Sequence, residues 1–179
     1  MTDKKHIKLK EGLVVYDNHI AFWGSAFSNF YPCTFKLDDE TWNCSEQFFM
    51  ACKARCFDDL EIYYEIREAR TPEVAKKLGR KIRGFNDKIW DKVKYEIMLT
   101  GVYAKFSQNE DLKEFILSPE FEGKDFVEGS PFDGVWGVKM DYTNPDIDNK
   151  NNWQGENLLG KVLNEVREIL KNEGTIEKI

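Results

Sequence analysis

Apolar residues come in short runs at the start of the chain and recur at helical spacing through its middle and end. Residues 13–16, 20–23 and 33–37 are brief apolar or aromatic stretches, and Asp38-Asp39-Glu40 before Thr41-Trp42 reads as a hairpin turn between two strands. Ser45 is predicted to cap a helix with Glu46 in its first turn, and Phe49, Cys52 and Cys56 follow at three- and four-residue spacing as a buried stripe. Asp58 predicts a further cap. Thr71-Pro72-Glu73 combines a capping hydroxyl, a proline at the first helical position and an early acid. Asn86-Asp87 opens the longest helical pattern, with Trp90, Val93, Ile97 and Gly101 on one face and Met98, Val102 and Lys105 on the next. Another short helix is predicted from Asn109-Glu110-Asp111 to Ser118-Pro119. Residues 126–128 and 135–137 read as short strands around a Gly129-Ser130-Pro131 turn, and residues 139–152, rich in Asn and Asp, as a loop that could serve as a lid. Leu159, Val162, Leu163, Val166, Ile169 and Leu170 make an amphipathic carboxy-terminal helix that should fray beyond Lys171.

At 179 residues, 41% hydrophobic and 14% aromatic, the chain can bury one continuous core. The expected fold is a single mostly helical α+β domain with a small β-sheet, its core spanning about residues 13–170. No apolar run approaches the ~20 residues needed to cross a bilayer, and residues 1–10 are too charged for a signal peptide. A cytoplasmic protein without a membrane partner is expected, with Cys33, Cys44, Cys52 and Cys56 as free thiols. A net charge of -6 opposes long-range attraction to phosphate backbones, which disfavours a general nucleic-acid binder while leaving room for a local basic pocket.

Metal and nucleophile chemistry find little support. The Cys52-x-x-x-Cys56 spacing puts two thiols on one helical face, but paired Cys-x-x-Cys loops are absent, and the two histidines, His6 and His19, lie far from the cysteines in sequence. Neither G-x-G-x-x-G nor G-x-x-x-x-G-K-[ST] occurs. Gly79-Arg80-Lys81 could meet a phosphate, and it reads equally as a solvated helix end. More distinctive are acids and carboxamides set among large aromatics: Ser28-Asn29-Phe30, Trp42-x-x-Ser45-Glu46, Val127-Glu128 and Asp133-Gly134-Val135-Trp136-Gly137. A pocket that stacks a flat ring and moves protons needs these residue types, because an apolar surround raises a carboxyl pKa toward neutrality. Each cluster also has a plain reading, Glu46 as a dipole-favoured surface acid and Trp136 as core.

Taken in order, these residues resemble the NADAR, or YbiA-like, family. The resemblance runs from about Phe22 to about Leu170. It rests on Ser28-Asn29-Phe30, Trp42-x-x-Ser45-Glu46-Gln47-Phe48-Phe49 with Lys53, Gly79-Arg80, Trp90 with Met98, Ala104-Lys105-Phe106, Val127-Glu128, Asp133-x-x-Trp136-Gly137, and Trp153-x-Gly155-x-Asn157-x-Leu159-Gly160 with Arg167. It implies a hydrolase of ribosyl C1–N bonds that needs no metal or other cofactor. The implied substrates are phosphorylated ribosylamino-pyrimidine intermediates of riboflavin synthesis or ADP-ribosylated guanine, as a small nucleotide or within a modified nucleic acid. Glu46 then looks like the catalytic glutamate, Trp90, Glu128, Asp133 and Trp136 look like pocket residues, and Asn29, Lys53, Lys105 and Asn157 match further family positions. The mechanism expected for such a bond has Asp133 or Glu128 assisting departure of the base, Trp136 or Trp90 stacking on it, and Arg80, Lys53 or Lys105 anchoring phosphate. One difference is that Lys139 stands where the family often has glycine, two residues after the Trp-Gly pair. The rival reading is a module that binds ADP-ribose or a nucleotide without cleaving it; a third is a partner-binding domain whose acids are surface charge.

Overall fold

The computed structural model describes residues 9–176, with side chains described through residue 174. His6 and residues 177–179 lie outside the described residues, and of the stretch from Lys171 onward that was expected to fray, residues 171–176 continue the last helix. The architecture is α+β, as expected. The chain forms two compact units, one of residues 1–28 with 110–179 and one of residues 29–109.

In the first unit, β1 (Leu13–Val15) pairs antiparallel with β2 (His19–Phe22), and β2 pairs parallel with β5 (Asp125–Glu128) in the register Phe22 opposite Glu128. Because side chains alternate along a strand, Phe22 and Phe126 turn to one face and Ala21 and Val127 to the other. On the first face Phe27 gathers the rings of Phe126 (4.6 Å between centroids), Phe115 (5.1 Å) and Phe121 (5.6 Å). Phe115 comes from α5 (Glu110–Ile116), and α6 (Leu158–Ile176) buries Leu159, Val162, Leu163, Val166 and Leu170 completely. Arg167 of α6 is structural: its guanidinium donates to Phe121 O and Lys124 O and lies 4.8 Å from the Phe126 ring.

The other face of the sheet is covered by the segment read as a loop. It contains two 3-10 turns, Pro145–Asp148 and Lys150–Asn152, and is fastened along β2. Ile147 is fully buried with Ala21 and Val127, Asp148 accepts from the Asn18 amide and stands 3.0 Å from His19 Nδ1, and Trp153 Nε1 donates to Ile147 O. Anchoring at this many points argues against a swinging lid.

Residues 135–137 are not a strand. Asp133 Oδ1 accepts the amides of both Val135 and Trp136, at 2.9 Å each, so the side chain folds the backbone into a tight turn before a ladder can form. Residues 154–159 then stitch onto that turn through Glu156 N–Gly134 O, Asn157 N–Gly137 O and Leu159 N–Trp136 O bonds. Lys139 leaves the turn at φ +55°, the left-handed region where glycine is at ease. The lysine therefore keeps a backbone path suited to glycine and bears the strain. Lys139→Gly is expected to raise stability by about 0.5–1 kcal/mol, read as a rise in Tm of about 1–4 °C.

The second unit is built on α1 (Ser45–Cys56), which packs against α2 (Leu60–Arg67), α3 (Pro72–Gly79) and α4 (Asp87–Ser107). Gly79 and Gly101 permit the close crossings, since a Cβ at either would strike Met50 or Phe48 of α1. The hairpin of β3 (Phe35–Leu37) and β4 (Glu40–Trp42) turns on Asp38 and Asp39, both at positive φ, with Glu40 already in the strand. Two expected caps move by one residue: Cys44, not Ser45, caps α1 through its Sγ, and Asp59, not Asp58, caps α2. Thr71 and Asn86 cap α3 and α4 as expected. Cys52 and Cys56 are half-exposed, so the buried stripe of α1 is carried by Glu46, Phe49 and their neighbours instead. Among the described residues no helix is long and apolar enough to cross a membrane.

Candidate active site

Glu46 is the second residue of α1 and only 6% exposed. Its amide donates to Asn29 O at 3.0 Å, which ties the Asn29-Phe30 segment to the helix start. Next to Glu46 in sequence, Gln47 is wholly structural: Nε2 donates to the carbonyls of Ile66, Arg67 and Ala69, closing the end of α2, and Oε1 accepts from Asn43 N. The Glu-Gln pair thus divides into one buried acid and one fold-locking amide. Among the described residues, Asn29 Oδ1 and Ser45 Oγ are buried without a hydrogen-bond partner. Each such atom costs about 1–3 kcal/mol unless water or a ligand meets it, and both residues adjoin Glu46, Ser45 in sequence and Asn29 through the carbonyl that takes the Glu46 amide.

From Glu46 the same face of α1 continues, at helical spacing, to Phe49 and Lys53. Phe49 lies 5.0 Å from the ring of Trp90, which is buried on the first turns of α4. The Lys53 ammonium lies 4.0 Å from the Phe85 ring centroid and 5.8 Å from that of Trp90. Burial lowers the pKa of Lys53, and the charges of Asp87 and Glu46 partly restore it. Asn29, Glu46, Lys53 and Trp90 thus belong to one unit, with an acid and a cation on one helix face and indole and phenyl rings against it.

Lys105, on α4, is 1% exposed, and its ammonium faces the rings of Tyr31 (5.4 Å) and Phe106 (5.1 Å). Burial pushes its pKa down to about 8, against the opposing pull of Cys33 and Cys44. Cys44 is pushed up to about 11, chiefly by burial, and feels both Glu46 and Lys105. A lowered lysine pKa means that the unfolded chain holds a proton that the native chain has released. Between pH 8 and 9 this group therefore makes stability rise with pH, by about 1 kcal/mol, since one proton is worth 1.36 kcal/mol per pH unit. Subtracting the stability curve of Lys105→Met from that of the wild type should isolate this rise; a flat difference would mean that Lys105 titrates as in water. Above pH 9 the raised thiols of Cys44 and Cys52, the latter at about 12, pull the wild-type curve the other way.

Arg80 caps the carboxy-terminal end of α3 and is exposed, and among the described residues its guanidinium makes no hydrogen bond or ion pair. Glu128, Asp133, Trp136 and Asn157 belong to the other unit. Glu128 ends β5 half-buried. Asp133 is occupied with its turn, and Trp136 is half-buried within that turn. Asn157, 3% exposed and at φ +53°, spends both ends of its side chain on β5, accepting from Glu128 N and donating to Phe126 O at 3.0 Å each. It positions Glu128 rather than presenting its amide elsewhere.

Sequence reasoning missed Phe85, and it gave Ser45 a capping role within the Trp42-x-x-Ser45-Glu46 cluster. Phe85 follows a glycine in a connection between helices, where no periodicity marks it, and Ser45 reads as a cap until the cap is seen on Cys44. An open groove of about 790 Å³ in the first unit, lined by His19, Asp125, Asp148 and Lys150 among others, contains none of the expected residues. Two of its acids are engaged, Asp148 with Asn18 and Asp125 with Lys150 at 2.9 Å.

The family model of the NADAR domain matches residues 21–171. An N-glycosidase of Acanthamoeba polyphaga mimivirus is 41% identical over 147 residues, covering 79% of this chain and 85% of the viral protein. The N-glycosidase YbiA of Escherichia coli is 32% identical over 165 residues, covering 89% and 93%. The protein irg-1 of Caenorhabditis elegans is 36% identical over 160 residues, covering 80% and 74%. The NMR structure of Escherichia coli YbiA superposes with a TM-score of 0.72 over 94% of each chain, at 31% identity.

Proposed function

The chain belongs to the NADAR family, and we propose that it is an N-glycosidase that hydrolyses a ribosyl C1–N bond with Glu46 as its principal acid–base group. The observation that carries this reading is the burial of Glu46, a residue 6% exposed whose neighbours Ser45, next in sequence, and Asn29, bonded to its amide, carry buried side-chain oxygens without a hydrogen-bond partner among the described residues. Structural acids are rarely buried in this way without a task.

As the C1–N bond breaks, its electron pair goes to the base nitrogen and positive charge grows on the sugar. A carboxylate beside C1 stabilises that charge and takes a proton from the attacking water, whose oxygen completes the new C1–O bond; a second acid supplies the proton that the leaving nitrogen needs. Glu46 has the first role. Asp133 or Glu128 is proposed for the second, and the Asp133 carboxylate also accepts two backbone amides in its turn. Trp90 offers an indole face to the base, with Trp136 the second aromatic of this kind. Lys53 and the buried Lys105 supply positive charge for a phosphorylated substrate.

The substrates proposed are ADP-ribosylated guanine, free or in nucleic acid, and phosphorylated ribosylamino-pyrimidines. Side-by-side turnover assays on the two, reading free ADP-ribose or ribose phosphate, decide between them. Binding of both without release of the base would replace this reading with that of a non-catalytic nucleotide-binding module. The Lys139 difference does not favour that module, because the residue holds a glycine-like backbone angle.

A further inference from the structure

The connection from α3 to α4 holds a large aromatic residue where the core has no use for it. Phe85 is 40% exposed, yet it is fixed from three directions. Arg83 before it donates from its backbone amide (2.9 Å) and its Nε (3.1 Å) to Asp59, an ion pair that holds the Asp59 carboxyl well below the usual range. Asn86 after it caps α4 by accepting from Ile89 N, and the Phe57 ring packs against that of Phe85 in a T-shaped pair, 5.2 Å between centroids. Gly84 at φ +69° makes the corner between these anchors. The exposed ring is thus built into place, and it lies over the Lys53 ammonium.

Among the described residues Lys53 makes no hydrogen bond or ion pair; its contacts are the two ring faces. A ring face attracts the ammonium without consuming its N–H donors in strong bonds, and it restrains a four-carbon stem that would otherwise lose entropy on meeting a ligand. A half-buried cation held this way, on the helix face that carries Glu46, is ready for an oxyanion.

We propose that Phe85 is a positioning residue that holds the Lys53 ammonium for a phosphoryl group of the substrate. This rests on the N-glycosidase reading and adds a specificity determinant to it: preference for phosphorylated over unphosphorylated N-ribosides is set by the Phe85–Lys53 pair.

The test uses the full chain and the variants Phe85→Ala, Phe85→Leu, Phe85→Tyr, Lys53→Met and Lys53→Met/Phe85→Ala. KM and kcat are measured on a phosphorylated N-riboside and on its dephosphorylated counterpart, and the affinity for inorganic pyrophosphate is measured by calorimetry. Phe85→Ala and Phe85→Leu should each raise KM for the phosphorylated substrate and weaken pyrophosphate binding by about 3- to 10-fold, with the loss in KM rather than kcat. Phe85→Tyr, which keeps the ring face, should recover most of the affinity, and the double variant should be no weaker than Lys53→Met alone. Leucine restoring affinity as well as tyrosine would overturn the proposal, since the ring would then be only filler. So would equal losses on the two N-ribosides, or additive losses in the double variant. Pyrophosphate binding needs no turnover, so the two readings separate. Phe85-dependent binding in a protein that cleaves nothing would end the enzyme assignment alone, and normal turnover that is indifferent to Phe85 would end this one alone.

Discussion

Glu46→Gln should fold like the wild type and turn over its N-riboside substrate about 10²- to 10⁴-fold more slowly, the range that general acid–base assistance commonly supplies. The substitution keeps the shape of a side chain that is 6% exposed on the first turn of α1 and removes only its ability to ionise. The loss should appear in kcat, because the carboxylate acts on charge that develops as the bond breaks. Substrate affinity, read by calorimetry on the inactive variant, should change far less. Turnover near the wild-type rate in a folded Glu46→Gln protein would remove Glu46 from the chemistry.

Asn157→Ala should cost about 3 kcal/mol and lower Tm by about 6–12 °C. Its side chain bridges the entrance of α6 to the end of β5, accepting from Glu128 N and donating to Phe126 O. Alanine would strand both backbone groups and hold a Cβ residue at φ +53°. Asn157→Gly should recover about 1 kcal/mol of that loss, because glycine removes the backbone strain but not the missing bonds. Unchanged stability in both variants together with a raised KM would instead make Asn157 a substrate ligand.

Much of the second unit was legible from local chemistry. Thr71-Pro72 and Asn86-Asp87 start helices because their side chains accept the first free amides, which is a property of neighbours in sequence. The Asp-Asp hairpin was legible for the same reason. Caps at Ser45 and Asp58 were misplaced by one residue because adjacent Cys44 and Asp59 compete for the same amides, and only the path of the incoming chain chooses between them. The strand expected at residues 135–137 failed because its apolar pattern does not report that Asp133 captures the two amides a ladder would need.

The candidate site divides along the same line. The ordered motifs in the sequence pointed to the family, and the resemblance singled out Glu46, Lys53 and Trp90; helical spacing puts Glu46 and Lys53 on one face of α1, whereas folding brings Trp90 of α4 to it. Only tertiary structure decided which of the remaining polar residues are left for a substrate. Gln47, Arg167 and Asn157 look as functional in sequence as Glu46, yet they spend their hydrogen bonds on distant carbonyls and amides of the fold. Phe85 looks like a loop residue, and three anchors brought together by folding set it over Lys53. Whether a polar group serves stability or chemistry depends on which partners folding brings to it, and those partners are separated from it by tens of residues in the chain.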